Sequence, residues 1–181
     1  MKALAALAMM VGPALADPLT LVDYNAVIAA NLDRAEAMGE DRRSIDLPGG
    51  VVLIIGPDDA LITTRDPQGA VGCLMDRLAR LNAAARICPG VMTPGQADGV
   101  DSAVAAVIPA YAAGVLPTPA PQTEVAARYE RLVQSHLRGP AICDLSPDAG
   151  FLLNFVNSED GRGWLADTLA TPRLPVAAPC F

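Results

Sequence analysis

The stretch SIDLPGGVVLIIGPDDALITTRDPQGAVGCLMDRLARLNAAARIC, Ser44 to Cys88, changes its hydrophobic period halfway along. That change decides the fold class. Its first half holds the uninterrupted aliphatic run Val51 to Ile55, bounded by Gly49-Gly50 and by Gly56-Pro57-Asp58-Asp59. A short β-branched run between turn formers reads as a strand, and the lack of alternation predicts cover on both faces. Ala60 to Thr64 is a second extended run and Ser44 to Leu47 a third, which together predict hairpins. The second half switches to helical spacing, with Val71, Leu74, Met75, Leu78, Leu81 and Ala85 on one stripe. Asp66-Pro67 supplies a cap and a first-position proline for that helix, and Cys88-Pro89-Gly90 ends it.

Outward from this stretch the pattern is helical. On the N-terminal side Thr20 can cap a helix whose apolar stripe (Leu21, Tyr24, Val27, Ile28, Leu32, Ala35) runs to Gly39. On the other side PGQADG reads as a loop. Asp101 then opens a helix with Val104, Val107, Ile108 and Tyr111 on one face, kinked or broken at Pro109. The proline-rich LPTPAP, residues 116–121, is a stiff crossover. Thr123 starts a further helix bearing Val125, Tyr129, Leu132, Val133 and His136, stopped by Gly139-Pro140. Shorter helices are expected over 147–157 and 163–170, and TPRLPVAAPCF ends the sequence as an extended segment over the surface. The expected fold is therefore α+β: five or six helices on a small antiparallel sheet of two to three strands, which need helix cover because so few strands are unstable alone.

The first residues, MKALAALAMMVGPALADP, follow the layout of a secretory signal peptide. Lys2 supplies the charge, Ala3 to Val11 the apolar run and Ala14-Leu15-Ala16 the small-residue site, so cleavage is expected after Ala16. The run is too short to span a bilayer. The expected product is a single globular domain, residues 17–181, in the periplasm or secreted. Its 12 remaining basic residues (13 minus Lys2) are all arginine and face 20 acidic ones, a balance of 12 − 20 = −8. With abundant alanine, that usage marks a GC-rich bacterial genome. A net charge of this sign excludes a general electrostatic attraction to nucleic acid.

Four cysteines, Cys73, Cys88, Cys143 and Cys180, occur in the sequence. An even count in an exported chain points to disulfides. Zinc sites bring ligands in close pairs such as C-x-x-C, and none is present, so no metal and no cofactor are expected. One helix from Cys73 to Cys88 would hold their α-carbons about 22 Å apart. A disulfide needs them within about 7 Å. Each must pair across the proline crossover, stapling the chain with two bridges. On a helix wheel Cys73 projects beside Arg77 and Arg80, away from the leucine stripe, where a surface tail would meet it. The expected pairing is Cys73–Cys180 with Cys88–Cys143.

His136 is the single histidine and so the one candidate for histidine acid–base chemistry. Its neighbour Ser135 points about 100° away on a helix and cannot form a nucleophile–base pair with it. No G-x-S-x-G is present. NSEDGRG, residues 157–163, lacks the spacing of a calcium loop and reads as a polar turn. Gly49-Gly50 precedes a strand and so is not a phosphate cradle. The cysteines lack the C-x-x-C setting of a redox pair, and Cys73 is expected a full turn or more inside its helix. These residues point away from an enzyme. The expected role is a non-catalytic binding or accessory protein that takes a protein or small-molecule partner in an apolar groove between helices. A small hydrolase using His136 and a thiol-redox protein are the alternatives.

Overall fold

The computed structural model describes residues 21–39, 41–139 and 142–177. Residues 1–16, where a signal peptide is expected, the Thr20 cap, Pro140, Cys180 and Phe181 lie outside the described residues. Within them the fold is α+β, with six α-helices and a four-stranded antiparallel meander in the order β1-β2-β3-β4. The strands are β1 (Glu36–Ala37), β2 (Arg43–Asp46), β3 (Val52–Ile55) and β4 (Leu61–Arg65).

The first helix, α1 (Tyr24–Ala29), is capped by Asp23, whose carboxylate accepts from the Ala26 amide. It is much shorter than its apolar stripe. The chain turns through a short 3-10 turn at Leu32–Arg34 and then enters β1, giving a strand where continued helix was expected. Val27 and Ile28 bury against the sheet, and that packing outweighs local periodicity. In β3, Leu53 and Ile55 are buried whereas Val52 and Ile54 are partly exposed, so one face is covered rather than both. In the β3–β4 turn Asp59, at positive φ, pairs with Arg43 of β2.

Helix α2 (Val71–Ile87) begins later than Asp66-Pro67 suggests, because Gly69 adopts a left-handed φ of 98° and breaks the path. Asp66 instead caps a turn, accepting from the Gln68 amide. Helix α3 (Pro94–Gly114) begins earlier than expected. Thr93 and Gln96 close a reciprocal capping box, so PGQADG is its first turn and not a loop. Pro109 neither ends nor divides it. The carbonyl deprived of a donor by that proline belongs to Ala105, which is exposed and can be satisfied by water. Helices α4 (Gln122–Leu137), α5 (Pro147–Asn157) and α6 (Glu159–Leu169) follow. Ser158 closes α5 and caps α6, so NSEDGRG is a helix start rather than a turn.

The interior has two hydrophobic clusters. One joins α2 to α3, α4, α5 and α6 through residues such as Leu78, Val107, Val133 and Leu153. The other joins α1 and the sheet to Ala70, Cys73, Leu174 and Val176. Residues 173–176 therefore do not run over the surface. They thread the interior, with Arg173, Leu174 and Val176 all buried. Cys73 is likewise buried on the sheet side and not on an outer face. Three glycines, Gly49, Gly72 and Gly114, admit the segment. A β-carbon at Gly114 would overlap the Arg173 carbonyl, and one at Gly72 would sit 2.8 Å from the Val176 oxygen. The Gly72 amide also donates to that oxygen at 3.0 Å.

One disulfide is defined within the described residues, Cys88–Cys143, with α-carbons 5.3 Å apart. It ties the C-cap of α2 to the α4–α5 connection and closes a 55-residue separation, worth about 4 kcal/mol in the chain-entropy account. Cys73 is not free, and its expected partner Cys180 lies outside the described residues.

Arg173 and Asp66 form an ion pair, Nε to Oδ2 at 2.8 Å, with side-chain exposures of 1% and 0%. Arg173 also donates to the carbonyls of Gly69, at 3.0 Å, and Thr168. Removing one charge from such a pair leaves the other buried and uncompensated. Asp66→Asn should therefore cost about 3–5 kcal/mol of unfolding free energy in denaturant titrations. Asp66→Leu combined with Arg173→Met should recover part of that loss. A cost under 1 kcal/mol for the single change would show that the pair does not hold the segment.

Candidate binding cleft

Between the N-terminal half of α2 and helices α5 and α6 the surface opens into an apolar hollow of about 280 Å³. Leu74 and Arg77 come from α2, Phe151 and Phe155 from α5, and Trp164 from α6. A second hollow of about 480 Å³ adjoins it, lined by Pro67, Gln68, Asp167 and others, and both share Gly69, Trp164 and Thr168. Trp164 thus forms the wall between two connected depressions.

The geometry follows from helix spacing. Phe151 and Phe155 are one turn apart on α5 and stack with centroids 5.8 Å apart. Trp164 meets Phe155 edge-on at 5.6 Å. The α5–α6 junction can bring these rings together because Gly161 packs directly on the Phe155 carbonyl. Phe151 is 71% exposed and Trp164 42%, although both are large and apolar. Aromatic residues make up only 4% of the sequence, so three of them at one water-facing cleft is a concentration that the core does not require. Two arginines line the cleft, Arg77 of α2 and the buried Arg173, whose pair with Asp66 fixes the loop at Gly69.

His136 lies elsewhere. On the last turn of α4, its Nε2 is 3.0 Å from Asp76 Oδ1 of α2, and its side chain is 24% exposed. Among the described residues no serine or threonine hydroxyl bonds to it, and it lines neither hollow. The arrangement joins α2 to α4, and among the described residues it presents no nucleophile. Cys73 is the third residue of α2, closer to a helix N-terminus than its sequence context suggests, and it lines the cleft. No group of three His, Cys, Asp or Glu able to hold a metal ion occurs among the described residues. No described helix is long and apolar enough to cross a membrane.

A polar network binds α2, α3 and α4 on their outer surfaces. Arg86 forks onto Glu130 at 2.6 and 2.8 Å and donates from Nε to Asn82, which donates in turn to Asp101. Gln134 adds another donor to Glu130. The Arg86 guanidinium, followed by Gln134, holds the Glu130 carboxyl down at about 2. Burial pushes the nearby Tyr129 hydroxyl well above its ordinary range.

The cleft residues Phe151, Phe155 and Trp164 were not legible as a site. The available signal was the i, i+4 pair of phenylalanines followed by the sole tryptophan in a chain poor in aromatics. It was masked because residues 157–163 read as a turn rather than as the start of the helix that carries Trp164.

Glu130 has a folded value below its ordinary 4.5, so its contribution is present above pH 4.5 and lost as pH falls toward 2. Because the pair is largely exposed, Glu130→Gln should cost no more than about 1 kcal/mol at pH 7. The difference from wild type, followed by thermal melts, should vanish between pH 4.5 and pH 2. A difference that persists at pH 2 would rule out the ion pair as its source. Comparison with family models, characterised proteins and solved structures finds no match to this chain.

Proposed function

We propose that this chain is an exported, non-catalytic binding or accessory protein, one domain acting in the periplasm or beyond after removal of residues 1–16. Its binding site is the aromatic cleft between α2, α5 and α6. The observation that carries this reading is the exposure of Phe151 and Trp164 around an apolar hollow. Ligand sites are concave and mainly apolar, with a few polar groups that orient what enters. The hollow suits a small apolar molecule or one hydrophobic side chain of a partner, with Arg77 at the cleft to orient a polar or anionic end. The signal-peptide pattern and the disulfide support export, since such bonds persist in oxidising compartments.

Trp164 is the sole tryptophan and therefore an intrinsic reporter of the site. Titration with an apolar naphthalene-sulfonate dye should change its emission saturably. Phe151→Ala and Trp164→Leu, the first read through the tryptophan and both through the dye, should weaken uptake roughly 10- to 100-fold, the worth of one buried aromatic contact. Phe151 is largely exposed and Trp164 partly so, and neither belongs to a core cluster, so circular dichroism and melting temperature should change little. Equal dye uptake by wild type and both variants would sink the proposal.

A further inference from the structure

Among the described residues, every charged side chain that lines the apolar hollow is a cation: Arg77 of α2 and Arg173, whose side chain is 1% exposed. No described aspartate or glutamate borders it, and Asp167 lines the adjoining hollow instead. This runs against the chain as a whole, in which 20 acidic residues outnumber 13 basic ones. We propose that the hollow holds a small amphiphilic carboxylate. Its apolar body lies among Phe151, Phe155 and Trp164, and its carboxylate accepts from the N–H groups of Arg173 beside Arg77. The inference rests on reading the cleft as the binding site and deepens it by naming the class of ligand.

Arg173 supplies the donors. It makes three bonds, from Nε to Asp66, from Nη1 to Thr168 and from Nη2 to Gly69. Each Nη carries a second hydrogen that none of these bonds uses. The side chain is shut off from bulk water and borders the hollow, so a ligand oxygen there meets a desolvated, charged donor, the stronger kind of hydrogen bond. The bonds already made fix the guanidinium plane before a ligand arrives, which reduces the ordering cost of binding. A carboxylate matches such a planar donor group with both of its oxygens, a fit that an alcohol or an amine lacks. Arg77 adds positive charge at the same hollow. Asp66 offsets the charge of Arg173, but it is 0% exposed and does not line the hollow, so the anion does not meet it directly. The volume of about 280 Å³ is at the small end for ligand sites, which favours a short chain or a single ring over a long lipid.

The probe is octanoate, compared with octanol and octylammonium, which share its tail and differ in head group. Trp164 emission and displacement of the naphthalene-sulfonate dye should show saturable octanoate binding, roughly 10-fold or more tighter than octanol, with octylammonium weaker still. In the nitrogen-15-labelled full chain, octanoate should shift the guanidinium N–H resonances of Arg173, whereas octanol should leave them in place. Arg77→Gln should reduce the preference for octanoate over octanol severalfold and leave octanol binding unchanged. Octanol binding as tightly as octanoate would overturn the proposal. So would Arg173 resonances that ignore octanoate, or a preference that survives Arg77→Gln undiminished. The two readings fail separately. Dye and octanol uptake that is lost in Phe151→Ala, without any preference for octanoate, keeps the cleft and removes the carboxylate. No uptake of dye, octanol or octanoate removes the cleft itself and the carboxylate with it.

Discussion

A guanidinium and a carboxylate 107 residues apart, Arg173 and Asp66, meet where neither is accessible to water, and the rest of the architecture is arranged around that meeting. Desolvating the two charges is expensive, and only close partners inside the protein offset that cost. Arg173 has them in the Asp66 carboxylate and the Gly69 and Thr168 carbonyls. The pair therefore fixes three things together: the 66–69 turn ahead of α2, the end of α6, and the segment carrying Leu174 and Val176.

The boundary between the two hydrophobic clusters explains the cleft. Helix α2 gives one side to the helical cluster and its N-terminal part to the sheet cluster, so its first two turns stand at a seam. A seam closed by a single inserted segment leaves space beside it, and Phe151, Phe155 and Trp164 collect there. Their rings pack on one another rather than into either cluster. This is how a chain with few aromatics keeps them available to something outside itself. The outer surface of α2 and α4 is held by different means, the Arg86–Glu130 fork and the His136–Asp76 contact, both wet and both remote from the seam.

The fold class was legible because hydrophobic period is a local property. The switch from the Val51–Ile55 run to the Leu74–Leu78–Leu81 stripe needed no knowledge of distant residues, and the 147–157 helix could be read to the residue from its Ser-Pro start. The failures came where a long-range partner decides. Residues 32–37 carry helical spacing but form a turn and a strand because β2 offers them a pairing edge. The tail was read as a surface segment from its prolines, whereas Arg173 is drawn inward by a carboxylate that sequence distance hides. Thr93 and Gln96 are a different case: the T-x-x-Q capping signal was present locally, but the Pro-Gly between its members looked like a loop. The cleft was least legible, since it exists only once α5 and α6 fold back on α2.

Burial of residues 173–176 has a consequence for biogenesis. A nascent chain emerges from its N-terminal end, and until Arg173, Leu174 and Val176 have followed, Asp66 lacks its cation and the sheet side lacks two of its fully enclosed aliphatic residues. The earlier elements can form locally, but they cannot seal. A polypeptide whose closing wedge arrives so late stays open until most of its length has been made.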